Sequence, residues 1–397
     1  MGLTLASALA AFAAMPACAQ DRLLTLRAGA SLASDSNVFR LPAGAPDPQT
    51  ARGISGKSDQ IKTTYVGLRL DKSYANQRFE LDATETATRY DKFTSNNFDA
   101  FQYRGAWNGS IGQRVIGSLI ADHSKSAINP ADVTSTEHIV RTSDNRRLNF
   151  DVSLSGGWYL LAGIIDTREK TSQVFLAAPA GSSNGKQIGL RYTAASGSFA
   201  SAIRRSTRGT NDISEINLGN LIDTGFNVDE SELISTWILS GKSTLNGRIT
   251  RLDRRNDHLS QRDFSGTSGE LAYVWAPDAR WLLNLTATRN IMPWTADLLS
   301  SYRIDEILSF APTWKLSEKI GVRMRAYRLA SDFRGPVVPT TGPSRRDVLR
   351  SIQLGMDWTP LRNATIGATV QRERRSSNDS NFEFDDTSAY LTASFIF

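Results

Sequence analysis

The last ten residues, SAYLTASFIF (388–397), alternate up to the final side chain. Ala389, Leu391, Ala393, Phe395 and Phe397 fall on one side of an extended backbone; Ser388, Tyr390, Thr392, Ser394 and Ile396 fall on the other. A period of two is the mark of a strand. Chain ends ordinarily fray and are polar, so an apolar strand ending in an aromatic needs a partner along its whole length. A sheet closed on itself provides one, because closure leaves no edge. The closing strand is expected over 382–397, paired with a first strand near Leu24 to Leu32.

The same alternation recurs along the chain. LNFDVSL (148–154), IGLRYTA (188–194), IGVRMRAY (320–327) and ATIGATV (364–370) each set an apolar face against a polar, often charged one. An antiparallel sandwich with one wet face would show this too. Two patterns favour a barrel with apolar residues outward to lipid and polar ones inward to water. Short connections at 72–76, 109–113, 155–157, 195–198, 240–243, 276–279, 315–318 and 359–362 alternate with polar loops, the longest of them at 35–59, 125–142, 170–185, 209–228, 291–300 and 333–344. Eight turns and nine loops make an antiparallel transmembrane β-barrel of about 18 strands, with 16 as the nearest alternative, and place both termini on the periplasmic side. Six of the eight tryptophans (Trp107, Trp158, Trp275, Trp281, Trp314 and Trp358) lie within a few residues of a short turn. An indole, apolar in body with one N–H, prefers the headgroup boundary, so these six are expected to form a periplasmic aromatic girdle.

The N-terminal stretch MGLTLASALAAFAAMPACAQ is apolar and ends in Ala17-Cys18-Ala19, which reads as a secretory signal over residues 1–19 cleaved before Gln20, with the barrel over 20–397. Its first residues lack Lys and Arg, which leaves room for a start upstream. Cys18 is the only cysteine and goes with the signal. The alternative, a lipid-bearing Cys18, has a poor motif in Met15-Pro16-Ala17. The longest apolar run after the signal is WYLLAGII, short of the roughly 20 residues of a spanning helix, and mean hydropathy is −0.31.

No catalytic residues, metal site or cofactor are expected. His123, His138 and His258 stand at strand ends or in loops with no matching Ser or Asp and read as exposed loop residues. Charge says more. Thirty-six Arg face ten Lys, and the net +6 belongs to the part after the signal. Parity puts Arg27, Arg69, Arg104, Arg191, Arg248, Arg323 and Arg325 on the inward face as pore-lining candidates, with Glu80, Asp82, Asp151 and Glu270. Either the lumen is cationic and suits an anionic or polar polymer, or the charges neutralise one another.

SDSNVFRL (34–41) with the long Pro/Gly loop after it, FELDATETATRYDKF (79–93) and AWNGSIGQR (106–114) follow one another in the order seen in a known family. The chain resembles the EpsL-type outer-membrane β-barrel proteins of exopolysaccharide biosynthesis operons, which are associated with exosortases. The sharpest element is Asp35-Ser36-Asn37-Val38-Phe39-Arg40, although Ser34 stands where an aromatic is expected. The resemblance implies a cell outer membrane location and a part in exopolysaccharide export, as the pore through which the polymer leaves. The alternatives are a general or substrate-selective diffusion porin and a structural barrel anchoring a polysaccharide assembly. Expected partners are outer-membrane lipid, an extracellular polysaccharide (anionic if the lumen is cationic), the barrel assembly machinery and periplasmic polysaccharide export components; nucleic acid is not among them. Leu391, Phe395 and Phe397 resemble the C-terminal assembly signal of outer-membrane proteins.

Overall fold

The computed structural model describes residues 23–397 except 51–52, 54, 129, 133–138, 174–178, 213–222, 296–297 and 339–341. The signal segment 1–19, Cys18 and His138 lie outside the described residues. Among the described residues there are eighteen strands: β1 (Leu24–Asp35), β2 (Asp59–Tyr74), β3 (Gln77–Tyr90), β4 (Phe98–Ile111), β5 (Val115–Ala127), β6 (Val140–Ser153), β7 (Trp158–Thr171), β8 (Gly181–Thr193) and β9 (Phe199–Asn211). They continue with β10 (Gly225–Ser240), β11 (Ser243–Asn256), β12 (Phe264–Trp275), β13 (Trp281–Pro293), β14 (Tyr302–Lys315), β15 (Ile320–Arg334), β16 (Arg346–Leu361), β17 (Ala364–Ser377) and β18 (Phe384–Ile396).

Each strand pairs antiparallel with its neighbour in the chain, and β1 pairs with both β2 and β18, so the sheet closes. The closing register runs from Arg27 opposite Ile396 to Asp35 opposite Ser388. Phe397 continues it by exchanging backbone hydrogen bonds with Leu26, at 2.8 and 3.2 Å. Both termini sit at the end that carries the short turns. In the β6–β7 turn, Gly156 (φ 59°) and Gly157 (φ 84°) supply two successive left-handed residues, a conformation that costs little only without a Cβ. The opposite end carries nine loops, one after each odd-numbered strand and numbered here 1 to 9. Loops 2, 3, 6 and 9 each contain one turn of 3₁₀ helix.

The barrel is apolar on the outside. Ile188, Leu354 and Leu391 are 60%, 57% and 54% exposed, whereas the one buried apolar cluster among the described residues is Val38, Phe39 and Phe93, in loops 1 and 2. A surface of this kind suits lipid. Closure gives every strand two hydrogen-bonded neighbours, so no edge meets the hydrocarbon. Trp107, Trp158, Trp275, Trp281, Trp314 and Trp358 all take the outward parity near the short-turn end. Trp281 and Trp314 stack at 5.4 Å, and Trp158 leans on Tyr192 at 5.2 Å. Trp237, three residues before the end of β10, stands with them at 47% exposure; its distance from a short turn was the available sign. Among the assembly-signal residues, Leu391 and Phe395 face outward, and Phe395 stacks with Phe397 at 6.4 Å.

Candidate functional site in the lumen and its outer mouth

The registers place Arg27, Arg69, Arg104, Arg191, Arg248, Arg323 and Arg325 on the inward parity, and the acids there neutralise most of them. Arg27 meets Asp82 of β3, two strands away, at 2.5 Å. Arg69 lies 3.5 Å from Asp71 and 3.6 Å from Glu80, and Arg104 lies 3.6 Å from Asp122. Arg191 holds Asp151 at 2.7 Å and lies over the Tyr159 ring. Arg248 approaches Glu232 at 3.7 Å, and Arg323 holds Asp357 at 2.6 Å. Arg325 differs: its guanidinium lies 5.4 Å from the Tyr327 ring, and no carboxylate is within ion-pair distance among the described residues. Of the two expectations for the lumen, the self-neutralising network describes its middle.

Arg205 of β9 belongs to the same network. It bonds Glu230 at 3.0 Å and Gln187 at 3.1 and 3.2 Å, and lies 3.6 Å from Glu232. Two carboxylates spaced by two on one strand face were the signal that sequence reading passed over.

The long-loop mouth adds aromatic rings to the ion pairs. On the inner wall from β14 round to β1, guanidinium groups alternate with aromatic rings. Arg303 lies over Trp294, Arg345 over Phe333 and Phe382 at 4.2 and 3.2 Å, Arg375 over Phe384 at 4.8 Å, and Arg40 over Phe384 at 5.9 Å. Carboxylates pair with three of these cations as well, Asp305 with Arg303 at 3.0 Å, Asp347 with Arg345 at 2.5 Å and Asp35 with Arg40 at 3.0 Å, so the rings stiffen a largely neutralised rim. Arg375 is buried and also donates to the carbonyl oxygen of Ala131 at 2.6 Å. Ala131 is in loop 3, which follows β5, six strands round the closed sheet from β17. Residues 130–132 of loop 3 therefore reach across the mouth. Loop 1, the longest, folds back on itself instead, with Lys57 Nζ donating to Pro42 O at 2.6 Å and Val38 N–H to Lys57 O at 2.9 Å.

The segment Asp35 to Arg40 forms a clasp where the sheet closes. Arg40 bonds Asp35 at 3.0 Å and lies 3.2 Å from Asp386 and 3.6 Å from Glu373, so it joins β1, β18 and β17. Ser36 Oγ donates to Asp386 at 2.9 Å and accepts the Thr387 N–H at 2.8 Å. Phe39 meets Phe93 edge to face at 4.8 Å. Burial works against the Arg40 cation, but the surrounding carboxylates outweigh it and hold its pKa above the ordinary value.

One expectation is corrected. His258 is the exposed loop residue expected, its side chain 74% accessible, but its Nδ1 is 3.1 Å from Asp223, and His123 sits within β5 with Nδ1 2.8 Å from Asp144. Their partners are 35 and 21 residues away in the chain, beyond any local motif. No hydroxyl completes either pair, and no group of metal-ligating side chains occurs among the described residues. Asp223 serves loop structure: it accepts the N–H groups of Gly225, His258 and Leu259, at 3.2, 2.5 and 2.7 Å.

No family model matches the sequence, and no curated protein does. Solved structures do match in fold. Against Pseudomonas aeruginosa OccK9 (OpdG) the TM-score is 0.53 at 9% identity, covering 94% of this chain and 98% of that one. Against Acinetobacter baumannii OccAB3 it is 0.51 at 10% identity, covering 94% and 99%. Pseudomonas aeruginosa OpdQ gives 0.50 at 10% identity over 94% and 97%. These are Occ/Opd outer-membrane porins. At such identities the likeness concerns the fold, which is that of a closed, 18-stranded antiparallel barrel of the outer membrane.

Proposed function

We propose that the protein is a diffusion channel for small solutes, with selectivity set at its outer mouth. The observation that carries this reading is loop 3, held across the mouth by the buried Arg375–Ala131 hydrogen bond. A barrel of 18 strands is wide enough for an aqueous channel, and a loop segment tied across its mouth narrows that channel. The Arg–carboxylate pairs and aromatic rings beside the loop offer donors, acceptors and ring faces to a small polar solute. The fold likeness to porins supports the same reading. We assign the short-turn end to the periplasm and the long-loop end to the outside, as in outer-membrane barrels generally.

Single-channel recording in planar bilayers, with liposome swelling, tests it. Arg375→Ala releases Ala131, so conductance should rise and discrimination between small anions and cations should fall. A wild-type barrel that conducts nothing would refute the channel reading, and a variant with unchanged conductance and selectivity would refute the part given to loop 3.

A second reading, polysaccharide export, rests on the resemblance of 34–41, 79–93 and 106–114. In the fold those segments form the seam clasp, β3 with the start of loop 2, and the β4–β5 turn. Normal polymer secretion from a deletion strain would dismiss export and leave the diffusion channel untouched.

A further inference from the structure

The outward wall carries more than apolar side chains. Arg328 of β15, Arg350 of β16 and Arg374 of β17 are direct cross-strand partners, Arg328 opposite Arg350 and Arg350 opposite Arg374. All three are exposed and share the outward parity with Leu354, Met356 and Val370. None has a carboxylate within ion-pair distance among the described residues. Asp385 stands opposite Arg374, but its carboxylate is engaged by Arg372 at 3.3 Å. Like charges directly opposed in a sheet repel, so three in a row raise the energy of the wall until an anion lies over them.

Their height matters. Below Arg350 toward the short-turn end, the outward positions of β16 are Ile352, Leu354, Met356 and Trp358, all exposed and apolar. The row therefore stands where hydrocarbon gives way to headgroups on the long-loop side. Beside it, a groove of about 760 Å³ runs over the outer faces of neighbouring strands. Gly247 and Gly269 form its floor, Ile249, Leu271 and Leu308 its flanks, and Arg328 stands at its end.

We propose that this face binds a lipid bearing phosphate monoesters and several acyl chains, in the leaflet on the long-loop side. Its phosphates lie across Arg328, Arg350 and Arg374, and one acyl chain fills the groove. Guanidinium forks match phosphate oxygens pairwise, and a monoester brings more negative charge to the row than the phosphodiester of an ordinary phospholipid. The groove has no use for a free anion.

The test uses the full barrel purified in detergent and titrated with diphosphoryl lipid A, the same lipid freed of phosphate, or phosphatidylcholine, bound lipid being counted by native mass spectrometry. Wild type should hold the phosphorylated lipid. The triple variant Arg328→Gln, Arg350→Gln, Arg374→Gln should bind it at least about tenfold more weakly, a loss of about 1.4 kcal/mol. Arg325→Gln, altered only in the lumen, should bind as wild type does. If the triple variant does not assemble, single Arg350→Gln and Arg350→Lys variants replace it, with loss expected for Gln and retention for Lys. Equal binding of phosphorylated and dephosphorylated lipid, undiminished binding by the Gln variants, or displacement by millimolar inorganic phosphate would overturn the proposal, the last by showing an anion site that needs no lipid.

Discussion

Arg40 has a positive φ of 56° without being glycine, a conformation that costs roughly 1–2 kcal/mol for an L-residue. It persists because, among the described residues, the guanidinium is the only cation placed among Asp35, Asp386 and Glu373 in that clasp. Replacing it by Ala would leave three acids close together and little solvated. Breaking one side of a buried ion pair costs about 3–5 kcal/mol, so Arg40→Ala should lower the temperature at which the folded barrel unfolds in detergent. The deficit should shrink at acid pH, as the orphaned carboxylates take up protons; a pH-independent deficit would locate the loss elsewhere. A different residue-scale test concerns the lumen. Arg323 is balanced by Asp357, whereas Arg325 lies over Tyr327 with no carboxylate in ion-pair distance among the described residues. Neutralising Arg323 and Asp357 together should leave ion selectivity unchanged, while Arg325→Gln alone should lower anion preference. Reversal potentials across a salt gradient measure both, at ionic strength low enough that a Debye length of about 10 Å or more reaches the permeating ion.

The strands were legible in the sequence because a half-lipid, half-water wall forces a period of two, and IGLRYT within β8 or ATIGATV within β17 can hardly read otherwise. The turns were legible because eight of them are short. Pairing was not. Whether Arg27 is free depends on Asp82, two strands on in the sheet and 55 residues on in the chain. Likewise DSNVFR could be recognised as a string, but its work as a clasp needs Asp386 of the last strand. Arg375 and loop 3 escaped notice for the same reason, their residues being 244 apart. At the level of elements, Phe397 matters beyond its side chain. Deleting it removes both backbone hydrogen bonds with Leu26, so outer-membrane levels of assembled barrel should fall severalfold, whereas trimming loop 8 should have little effect. Immunoblots of membrane fractions compare the two. Loops 5 and 6 are joined through Asp223, whose pKa is about 2: burial pushes it up, but the N–H groups of His258, Leu259 and Gly225 more than offset that. The folded value lies below the unfolded one of about 3.9, so the stabilisation is complete above about pH 4 and fades as pH falls toward 2. Hydrogen-exchange protection factors at Leu259 should follow that course.

Taken whole, a barrel with no open edge resists detergent until heated, and unheated samples should migrate differently from boiled ones on a denaturing gel; identical migration would contradict closure. Closure also has a history. The clasp unites Ser36 with Asp386, 350 residues apart, and nothing can stand in for β18 while the chain is still being made. The first strand must therefore wait, unpaired on one side, until the last has been synthesised, exported and delivered. Bringing such distant segments together is entropically slow, and an open intermediate with two bare edges is prone to pair with the wrong neighbour. The ionic clasp lies at the far end of the seam from Phe397, so the two mark its opposite limits. A chain impaired at Arg40 should accumulate as a late, nearly complete form that protease still cuts near β1, and one impaired at Phe397 as an early form that never engages its seam.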